Sequence, residues 1–363
     1  MKAAVLNELT KPLTVDEIEL RAPGPREALV KMAASGVCHT DYSITQGTLN
    51  VMPNPPLPMI VGHEGAAIVE EVGSEVTGLA PGDHVVLSTS GCGRCRHCLT
   101  GKPFLCMWGG VISRQPVMNF TRSGQPVFHF SHGTFAEYSV VPQESCIKIR
   151  EDMPLDKACL LGCGVMTGIG AAMNTAKVAP GSSVLVIGCG GVGLNVIQGA
   201  ALCGARMIIA ADILDNKLEF ARTFGATHTI NSKEQDLVAA VKDLTHGVGV
   251  EYSFEVIAAV PTIRLAFESL AVDGLCTVVG AAPPGAEVSI PIDLLFWERA
   301  IRGCFMGSGR PPMDIPRLVE LYMNKKIKLD ELVSQRLPLE GINQAFDDMQ
   351  NGKVARTVLN YLS

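Results

Sequence analysis

The stretch Ser183-Val-Leu-Val-Ile-Gly-Cys-Gly-Gly-Val-Gly193 decides the fold of this chain. Its first five residues are mostly apolar and β-branched, which predicts a short buried strand. The glycine-rich turn that follows leads into a stretch with helical spacing of apolar residues, up to Leu202. A strand, a glycine turn and a helix in this order predict a unit that binds the pyrophosphate of a dinucleotide.

Each glycine of the turn meets a requirement of such a site. Gly188 permits the tight turn, and Gly190 lets the backbone come close to a pyrophosphate. Gly193 lets the helix pack closely on the strand. Gly191 lies between Gly190 and Gly193 in the sequence. The amides of the helix N-terminus then offer hydrogen-bond donors to the phosphate.

An acidic residue follows the second strand predicted for this unit, Met207–Ala211. Asp212 comes 19 residues after Gly193, near the gap of about 20 typical of dinucleotide-binding units. Its carboxylate can accept hydrogen bonds from both hydroxyls of a ribose and would repel a 2′-phosphate. Asp212 therefore predicts NAD rather than NADP.

The rest of the chain shows two kinds of sequence pattern. Strand-like and helical stretches alternate from about Val165 to Phe305, which predicts a parallel sheet with helices on both faces. The first third has short alternating stretches, such as His84–Leu87, separated by turn residues. The tail adds an amphipathic stretch, Ile315–Asn324, and a strand-like end, Thr357–Leu362. We expect a β-rich domain interrupted by an α/β domain, with the tail returning to the first.

The composition excludes several classes of protein. Hydrophobic residues make up 47% of the 363 residues and charged residues 18%, so the chain can bury large cores. The net charge of −6 provides no basic field for nucleic acid or an anionic membrane. The uncharged run Val178–Ala205 is long enough to span a bilayer, but its seven glycines favour a buried strand, turn and helix.

Twelve cysteines are unusual for a chain of this length. We expect no signal peptide, because Met1–Leu6 runs straight into a strand-like segment, and therefore a reducing, cytoplasmic compartment. Such a chain more often binds metal or buries its thiols than forms disulfides.

Four of these cysteines, Cys92, Cys95, Cys98 and Cys106, lie within 15 residues of a glycine-rich loop. Four thiolates close a tetrahedral shell around zinc and leave no open position, which predicts a structural ion. His97 lies in the same loop, at residues 91–107, and is interpreted as solvated.

A second set of metal ligands is dispersed along the chain. Gly36-Val-Cys38-His39-Thr40-Asp41 and Gly62-His63-Glu64-Gly65 offer ligands on glycine-flanked turns, and Leu161-Gly162-Cys163-Gly164 offers a third. Spacing alone does not join these pieces, because a single cysteine or histidine is more often structural.

These motifs, the four-cysteine lobe and GCGGVG occur in an order and spacing that resemble the zinc-dependent medium-chain alcohol dehydrogenases, from about Lys2 to Asn360. The nearest motifs are those of the class III (formaldehyde dehydrogenase) and aryl-alcohol dehydrogenase branches. The resemblance implies an α/β fold, with a Rossmann doubly wound parallel sheet domain and a β-rich GroES-like catalytic domain. The implied domains are residues 1–164 (catalytic), 165–305 (NAD-binding) and 306–363 (return to the catalytic domain).

The resemblance implies a role for each dispersed residue. Cys38, His63 and Cys163 would bind a catalytic zinc and leave a fourth position for water or substrate, the ligand set typical of alcohol dehydrogenases. Asp41 would orient His63, and Glu64 would assist ligand exchange at the metal. Thr40 would take the proton of the alcohol.

The resemblance also implies two zinc ions and NAD as cofactors. The expected cofactor contacts outside the glycine turn and Asp212 are His39 and Arg356 (pyrophosphate), Thr167 and Val192 (nicotinamide side), Lys217 (adenosine ribose) and Val279.

The implied function is reversible oxidation of a primary alcohol to its aldehyde, with hydride transfer to NAD. Three departures from the family refine it. Ser43 stands where many relatives continue the proton path with histidine, and Gly110 stands where the formaldehyde branch holds glutathione with arginine. Ser88 replaces a bulky pocket residue. These departures favour a bulky, aromatic or allylic alcohol, and Trp108, Phe120, Phe128 and Phe130 are candidate pocket residues.

Other functions stay open at this point. The alternative within the family is a thiol-adduct (S-hydroxymethyl-thiol) formaldehyde dehydrogenase. A zinc-free quinone reductase would lack the three dispersed ligands, and a zinc-ribbon binding module would need a basic stripe that is missing here. We expect a small-molecule substrate, no nucleic acid or membrane partner, and a homodimer or homotetramer that pairs through a strand around Leu294–Cys304.

Overall fold

A computed structural model describes residues 1–49, 54–106 and 117–362. They form two compact units. Unit 1 consists of Met1–Cys163 together with the chain from Arg310 onward, and unit 2 is Gly164–Gly309. The sequence predicts boundaries after residues 164 and 305, and the units divide after Cys163 and Gly309.

The strands are numbered in chain order. They are β1 (Lys2–Leu6), β2 (Thr14–Glu17), β3 (Glu19–Leu20), β4 (Glu27–Gly36), β5 (Met59–Ile60), β6 (Glu64–Val72), β7 (His84–Leu87), β8 (Val117–Arg122), β9 (Gln125–His129), β10 (Tyr138–Pro142), β11 (Cys146–Lys148), β12 (Ser183–Ile187), β13 (Met207–Asp212), β14 (His228–Asn231), β15 (Val250–Glu255), β16 (Leu270–Val278), β17 (Ala300–Gly303), β18 (Val333–Leu337) and β19 (Arg356–Asn360).

The α-helices are α1 (His39–Thr45), α2 (Arg96–Leu99), α3 (Leu155–Ala158), α4 (Gly164–Gly170), α5 (Gly191–Leu202), α6 (Asp215–Thr223), α7 (Leu237–Leu244), α8 (Val260–Glu268), α9 (Ile292–Leu295), α10 (Pro311–Met323) and α11 (Ile342–Gln350). Short 3₁₀ turns lie at Pro103–Leu105, Gln143–Ser145, Cys159–Gly162, Met306–Ser308 and Leu339–Gly341, and a π-helix at Ala171–Ala176.

Unit 2 is a doubly wound parallel sheet, as the sequence predicts. Its strands run in the order β14-β13-β12-β15-β16-β17 within the described residues, and all neighbouring pairs are parallel. The central β12 is buried along its whole length, because helices cover both faces of a parallel sheet. Asp236 accepts a hydrogen bond from the amide of Ala239 and caps helix α7.

Unit 1 is β-rich. In the described part of the chain, one sheet has the order β2-β1-β5-β9-β8-β3 and the other the order β11-β7-β6-β4-β19-β18, with β10 also paired to β4. The final strand β19 pairs antiparallel with β4, which returns the tail to the first domain. Buried aromatic and aliphatic side chains such as Phe135, Ile60 and Leu6 form one of its cores.

The structure tests the predictions made for two stretches of unit 2. The uncharged run Val178–Ala205 contains β12 and α5, so the predicted strand, turn and helix are confirmed. The predicted strand around Leu294–Cys304 is shorter, since only Ala300–Gly303 is extended and Ile292–Leu295 forms a helix. Among the described residues no single helix is long and apolar enough to cross a membrane, although Leu155–Gly162 and Gly164–Ala176 reach that length and apolarity when counted together.

Candidate active site

The first ligand-bearing loop follows β4 and opens helix α1. Cys38 is the N-cap residue of α1, almost fully buried, and the chain then turns through His39, Thr40 and Asp41. Glycine at position 36 leaves room for two side chains, because a Cβ there would press on the carboxylate of Glu64 and on Leu160. The predicted motif therefore places Cys38 at the end of β4, directly beside the start of β6.

His63 is oriented by a buried carboxylate. The Nδ1 atom of His63 lies 2.9 Å from Oδ1 of Asp41, whose side chain is fully buried. The same oxygen accepts a hydrogen bond of 2.9 Å from the amide of Gly62. Within the described residues, Oδ2 of Asp41 has no hydrogen-bond partner. Asp41 therefore acts through a single oxygen, which fixes both the ring and the main chain beside it.

The dispersed ligands meet in unit 1. One ligand atom each of Cys38, His63, Glu64 and Cys163 lies within 4.8 Å of the others. A hydrogen bond from Cys163 and the charge of His63 hold the pKa of the Cys38 thiol well below its usual range, although burial opposes this. Burial lowers the pKa of His63, but Asp41 and Cys38 outweigh it and raise the pKa to about 10. A zinc ion binds thiolate and neutral imidazole, so it would displace the ring proton of His63 on binding, and the residues fit the metal.

Glu64 is paired with a distant arginine. Its carboxylate accepts a hydrogen bond from the guanidinium of Arg356, and both side chains are buried. Arg356 is the first residue of β19, which pairs with β4 so that Val358 lies opposite Gly36. The predicted contact of Arg356 with the cofactor stays a prediction, and the structure adds Glu64 as its partner.

The residues predicted to relay the proton lie on one short helix. Thr40 and Ser43 are both half-buried on α1, and His39 at its start is exposed. Residues three apart on a helix lie on the same face, so Ser43 occupies the position one turn beyond Thr40. This arrangement places the predicted proton acceptor two residues from Cys38.

The four lobe cysteines form a second cluster. Their sulfurs all lie within 4.8 Å of one another, and Sγ of Cys95 is 3.5 Å from that of Cys98 and 3.8 Å from that of Cys106. A tetrahedral zinc with Zn–S bonds of about 2.3 Å separates its sulfurs by about 3.8 Å, so the cluster fits this metal. The lobe contains α2 and the turn Pro103–Leu105, so it is more regular than the predicted loop, and His97 on α2 is half-buried.

The glycine turn has the predicted geometry of a phosphate site. Gly188 has a φ of +100°, in the left-handed region that favours glycine. A Cβ on Gly193 would lie 1.8 Å from the carbonyl oxygen of Gly188, which only the missing side chain allows. Above Gly190, by contrast, no described atom lies within 4 Å of the corresponding position, so the backbone there is open to a ligand.

Asp212 is not an ordinary exposed acid, because only 8% of the residue is accessible. One carboxylate oxygen accepts a hydrogen bond of 2.8 Å from the amide of Cys189, and the other accepts bonds from the amides of Ile213 and Leu214. Asp212 therefore holds the glycine turn and the following loop together, a role that the sequence does not reveal.

The remaining predicted cofactor residues all lie in unit 2. Thr167 is half-buried on α4, Val192 on the first turn of α5, and Lys217 on α6. Val279 follows β16, and its amide donates to the carbonyl of Glu255 at 2.8 Å.

The candidate substrate-pocket residues differ in their surroundings. Ser88 is 1% exposed, and its hydroxyl donates to the carbonyl of Gly162 at 3.2 Å, one residue before Cys163. The ring of Phe130 lies edge-on to that of His63, with centroids 5.8 Å apart. Phe120 is buried against His129, away from this contact, and Phe128 is half-buried on β9. Trp108 and Gly110 lie outside the described residues.

Comparison with known proteins agrees with this geometry. The alcohol dehydrogenase GroES-like domain matches residues 24–151, and the zinc-binding dehydrogenase domain matches residues 191–324. Alcohol dehydrogenase class-3 of Dictyostelium discoideum is 42% identical over 372 aligned positions, which cover 99% of this chain and 97% of the relative. The chain belongs to the zinc-binding alcohol dehydrogenase family.

Two further relatives of this family point to different substrates. S-(hydroxymethyl)glutathione dehydrogenase of Paracoccus denitrificans is 41% identical over 375 aligned positions, 99% of each chain. The crystal structure of benzyl alcohol dehydrogenase from Acinetobacter calcoaceticus has a TM-score of 0.93 at 36% identity and covers 99% of each chain. The predicted family, fold class and oxidoreductase activity are confirmed, with zinc and NAD as the cofactors of this alcohol dehydrogenase family.

Proposed function

We propose that this alcohol dehydrogenase oxidises a bulky primary alcohol, aromatic or allylic, to its aldehyde with NAD as the hydride acceptor, and that it also catalyses the reverse reaction. The observation that carries the proposal is the buried Ser88 beside Gly162 and Cys163. A hydroxymethyl group at this position occupies far less volume than the bulky residue of related enzymes, and we infer that the ring of the substrate packs on this side of the ligand Cys163.

We assign Cys38, His63 and Cys163 as ligands of the catalytic zinc, and the four lobe cysteines as ligands of the structural zinc. Bound zinc supplies Lewis acidity that lowers the pKa of an alcohol hydroxyl, and bound NAD accepts the hydride. Asp41 keeps Nδ1 of His63 engaged, which leaves Nε2 to act as the ligand. Burial of Cys38 and Asp41 keeps bulk water from this side of the site.

In this proposal the hydroxyl of Thr40 relays the proton of the alcohol: it accepts that proton while it passes its own proton onward towards water. Its half-buried position on α1 allows contact with a substrate and with a path to solvent. Ser43 cannot act as a base near neutral pH, so the proton leaves through water rather than through a histidine. Glu64 is held by Arg356 beside the ligands, where its carboxylate assists exchange at the metal.

We assign the cofactor to the glycine turn of unit 2, with the pyrophosphate at the amides that begin α5. Asp212 accepts the ribose hydroxyls and repels a 2′-phosphate, which favours NAD. His39 and Arg356 contact the pyrophosphate, and Thr167, Val192, Val279 and Lys217 complete the site in this assignment.

The second candidate is oxidation of an S-hydroxymethyl-thiol adduct. It is favoured by the full-length identity of 41–42% to the class-3 and S-(hydroxymethyl)glutathione dehydrogenases. It lacks support at Gly110, because a glycine offers no charge to the glutathione carboxylate where that branch has arginine.

A panel of alcohols separates the two candidates. We expect kcat/KM for benzyl and cinnamyl alcohol to exceed that for S-hydroxymethylglutathione by about a hundredfold or more. The variant Ser88→Phe is expected to lower kcat/KM for benzyl alcohol by about tenfold, and ethanol serves as the matched small substrate. Preference of the wild-type enzyme for the glutathione adduct would refute the aromatic-alcohol proposal.

We also propose a homodimer that pairs through β17. This strand is the edge of the unit 2 sheet and is exposed along its whole length. Phe296 (79% exposed), Trp297 (56%) and Ile301 (40%) present apolar surface on or near it. An open, apolar edge strand favours self-pairing about a two-fold axis. Sedimentation of wild type and Ile301→Lys tests this, since the variant is expected to be monomeric.

A further inference from the structure

The carboxyl ends of β12 and β15 flank the point at which the strand order of unit 2 reverses. In the order β14-β13-β12-β15-β16-β17, the connections go one way from β12 to β14 and the other way from β15 onward. In open α/β sheets a ligand binds in the crevice outside the strand ends at this point. The glycine turn after β12 forms one wall, so the loop after β15 forms the other.

Glu255 is the last residue of β15 and faces this loop. It lies opposite Ile187 in the register of the two strands and is fully buried. Its carboxylate oxygen Oε1 accepts hydrogen bonds from the amides of Ile257 and Ala258, both 3.0 Å, and from the hydroxyl of Thr262 at 2.7 Å. The other oxygen, Oε2, accepts a longer bond of 3.1 Å from the amide of Ala258.

These bonds hold the loop in a conformation that its sequence does not favour. Ala258 has a φ of +73°, in the left-handed region that a residue with a Cβ rarely adopts. Both carboxylate oxygens of Glu255 accept a hydrogen bond from the amide of Ala258, so the carboxylate holds this strained conformation in place.

The fixed loop is packed against both neighbouring cofactor segments. A Cβ on Gly188 would lie 2.7 Å from the side chain of Ile257, and a Cβ on Gly280 would lie 2.4 Å from the amide nitrogen of Ala258. The main-chain carbonyl of Glu255 itself accepts the amide of Val279. Movement of the loop would therefore displace the glycine turn and the segment after β16 together.

We propose that Glu255 is a positioning residue for the dinucleotide, because its carboxylate preforms the wall of the crevice opposite the glycine turn. The inference rests on the NAD site assigned above. A preformed wall spares the cofactor the cost of ordering the loop, so loss of the carboxylate weakens cofactor binding more than it slows the chemical step.

The test measures NADH binding to the full-length, zinc-loaded protein by the fluorescence of the bound nicotinamide. Glu255→Ala leaves the amides of Ile257 and Ala258 without an acceptor and releases the hydroxyl of Thr262, which keeps only the carbonyl of Ala259. We expect the Kd for NADH to rise about tenfold or more. Glu255→Gln retains Oε1 for all three donors, so its Kd is expected to stay within about threefold of wild type. In steady-state assays, Glu255→Ala should raise the KM for NAD while kcat changes by less than about twofold.

Ser269→Ala is the control variant, because it also removes a buried, hydrogen-bonded polar side chain of unit 2. The hydroxyl of Ser269 donates to the carbonyl of Leu265. The substitution is expected to lower the melting temperature without changing the Kd for NADH. If Glu255→Ala does not fold, Thr262→Val removes one of the three donors, and its Kd should rise about threefold.

Wild-type affinity for NADH in Glu255→Ala, or in Thr262→Val where the first variant does not fold, overturns the inference. An equal loss of affinity in Ser269→Ala also overturns it, because general destabilisation would then explain the effect. Failure of the wild-type protein to bind NADH would instead refute the assigned cofactor site, so the two failures are distinguishable.

Discussion

Replacement of Asp41 tests how His63, the proposed ligand of the catalytic zinc, is held. Both hydrogen bonds of this carboxylate use the same oxygen, Oδ1, which receives the amide of Gly62 and Nδ1 of His63 at 2.9 Å each. Asp41→Ala removes this acceptor and leaves the buried Gly62 amide unpaired, which costs about 1–3 kcal/mol of unfolding free energy. It also frees the imidazole to rotate, and we expect the affinity of the site for zinc to fall about 10–100-fold.

Asp41→Asn separates the hydrogen bonds from the charge. An asparagine can place its carbonyl oxygen at the position of Oδ1 and keep both bonds, and its amide group then lies at Oδ2, where the described residues provide no partner. We therefore expect this variant to lose no more than about tenfold in zinc affinity and to keep most of its stability.

The assay is zinc release to a chromogenic chelator, followed in wild type and both variants. The lobe zinc is an internal standard, because its four cysteines share no residue with the Asp41 site. Cobalt substitution adds a spectrum that reports the ligand geometry. The reasoning is refuted if Asp41→Ala releases its catalytic zinc as slowly as wild type, or if Asp41→Asn releases it as fast as Asp41→Ala.

Three further outcomes are expected. Cys163→Ala should fold, retain only the lobe zinc and lose turnover by about a thousandfold or more, as metal analysis and kinetics will show; retained turnover would contradict the ligand assignment. Cys106→Ala opens the closed lobe site and should lower both the melting temperature and the zinc content, whereas normal melting with both zincs would argue against a structural ion. Asp212→Gly should reduce the preference for NAD over NADP about tenfold in kcat/KM. It should also weaken the binding of both cofactors, because Asp212 accepts a hydrogen bond from the amide of Cys189 in the glycine turn. An unchanged preference would exclude Asp212 as the determinant of cofactor choice.

The sequence was most informative where a function is encoded within a short segment. The lobe cysteines span 15 residues, so chain connectivity alone brings their sulfurs close enough to share a metal. The glycine turn and the strand and helix on either side of it were equally readable, because each glycine answers a local steric requirement.

Long-range contacts were less readable. Glu64 and Arg356 are 292 residues apart, and no spacing rule connects them. Asp212 accepts hydrogen bonds from three main-chain amides, and Glu255 accepts them from the loop that follows it. These contacts depend on the orientation of each buried carboxylate. The sequence does not show whether an acidic side chain is exposed or buried, so these roles could be assigned only from the folded chain.

The sequence by itself therefore determined the parallel sheet of unit 2 and the grouping of the lobe cysteines, and the family resemblance that it carries supplied the dispersed metal ligands and NAD as expectations. The tertiary structure decided which distant groups meet. Gly36 on β4 lies opposite Glu64 on β6 and opposite Val358 on β19. These two registers place Glu64 and Arg356 side by side at the catalytic ligands. Register is set by the burial of whole strands, a property of the packed sheet that no single segment contains.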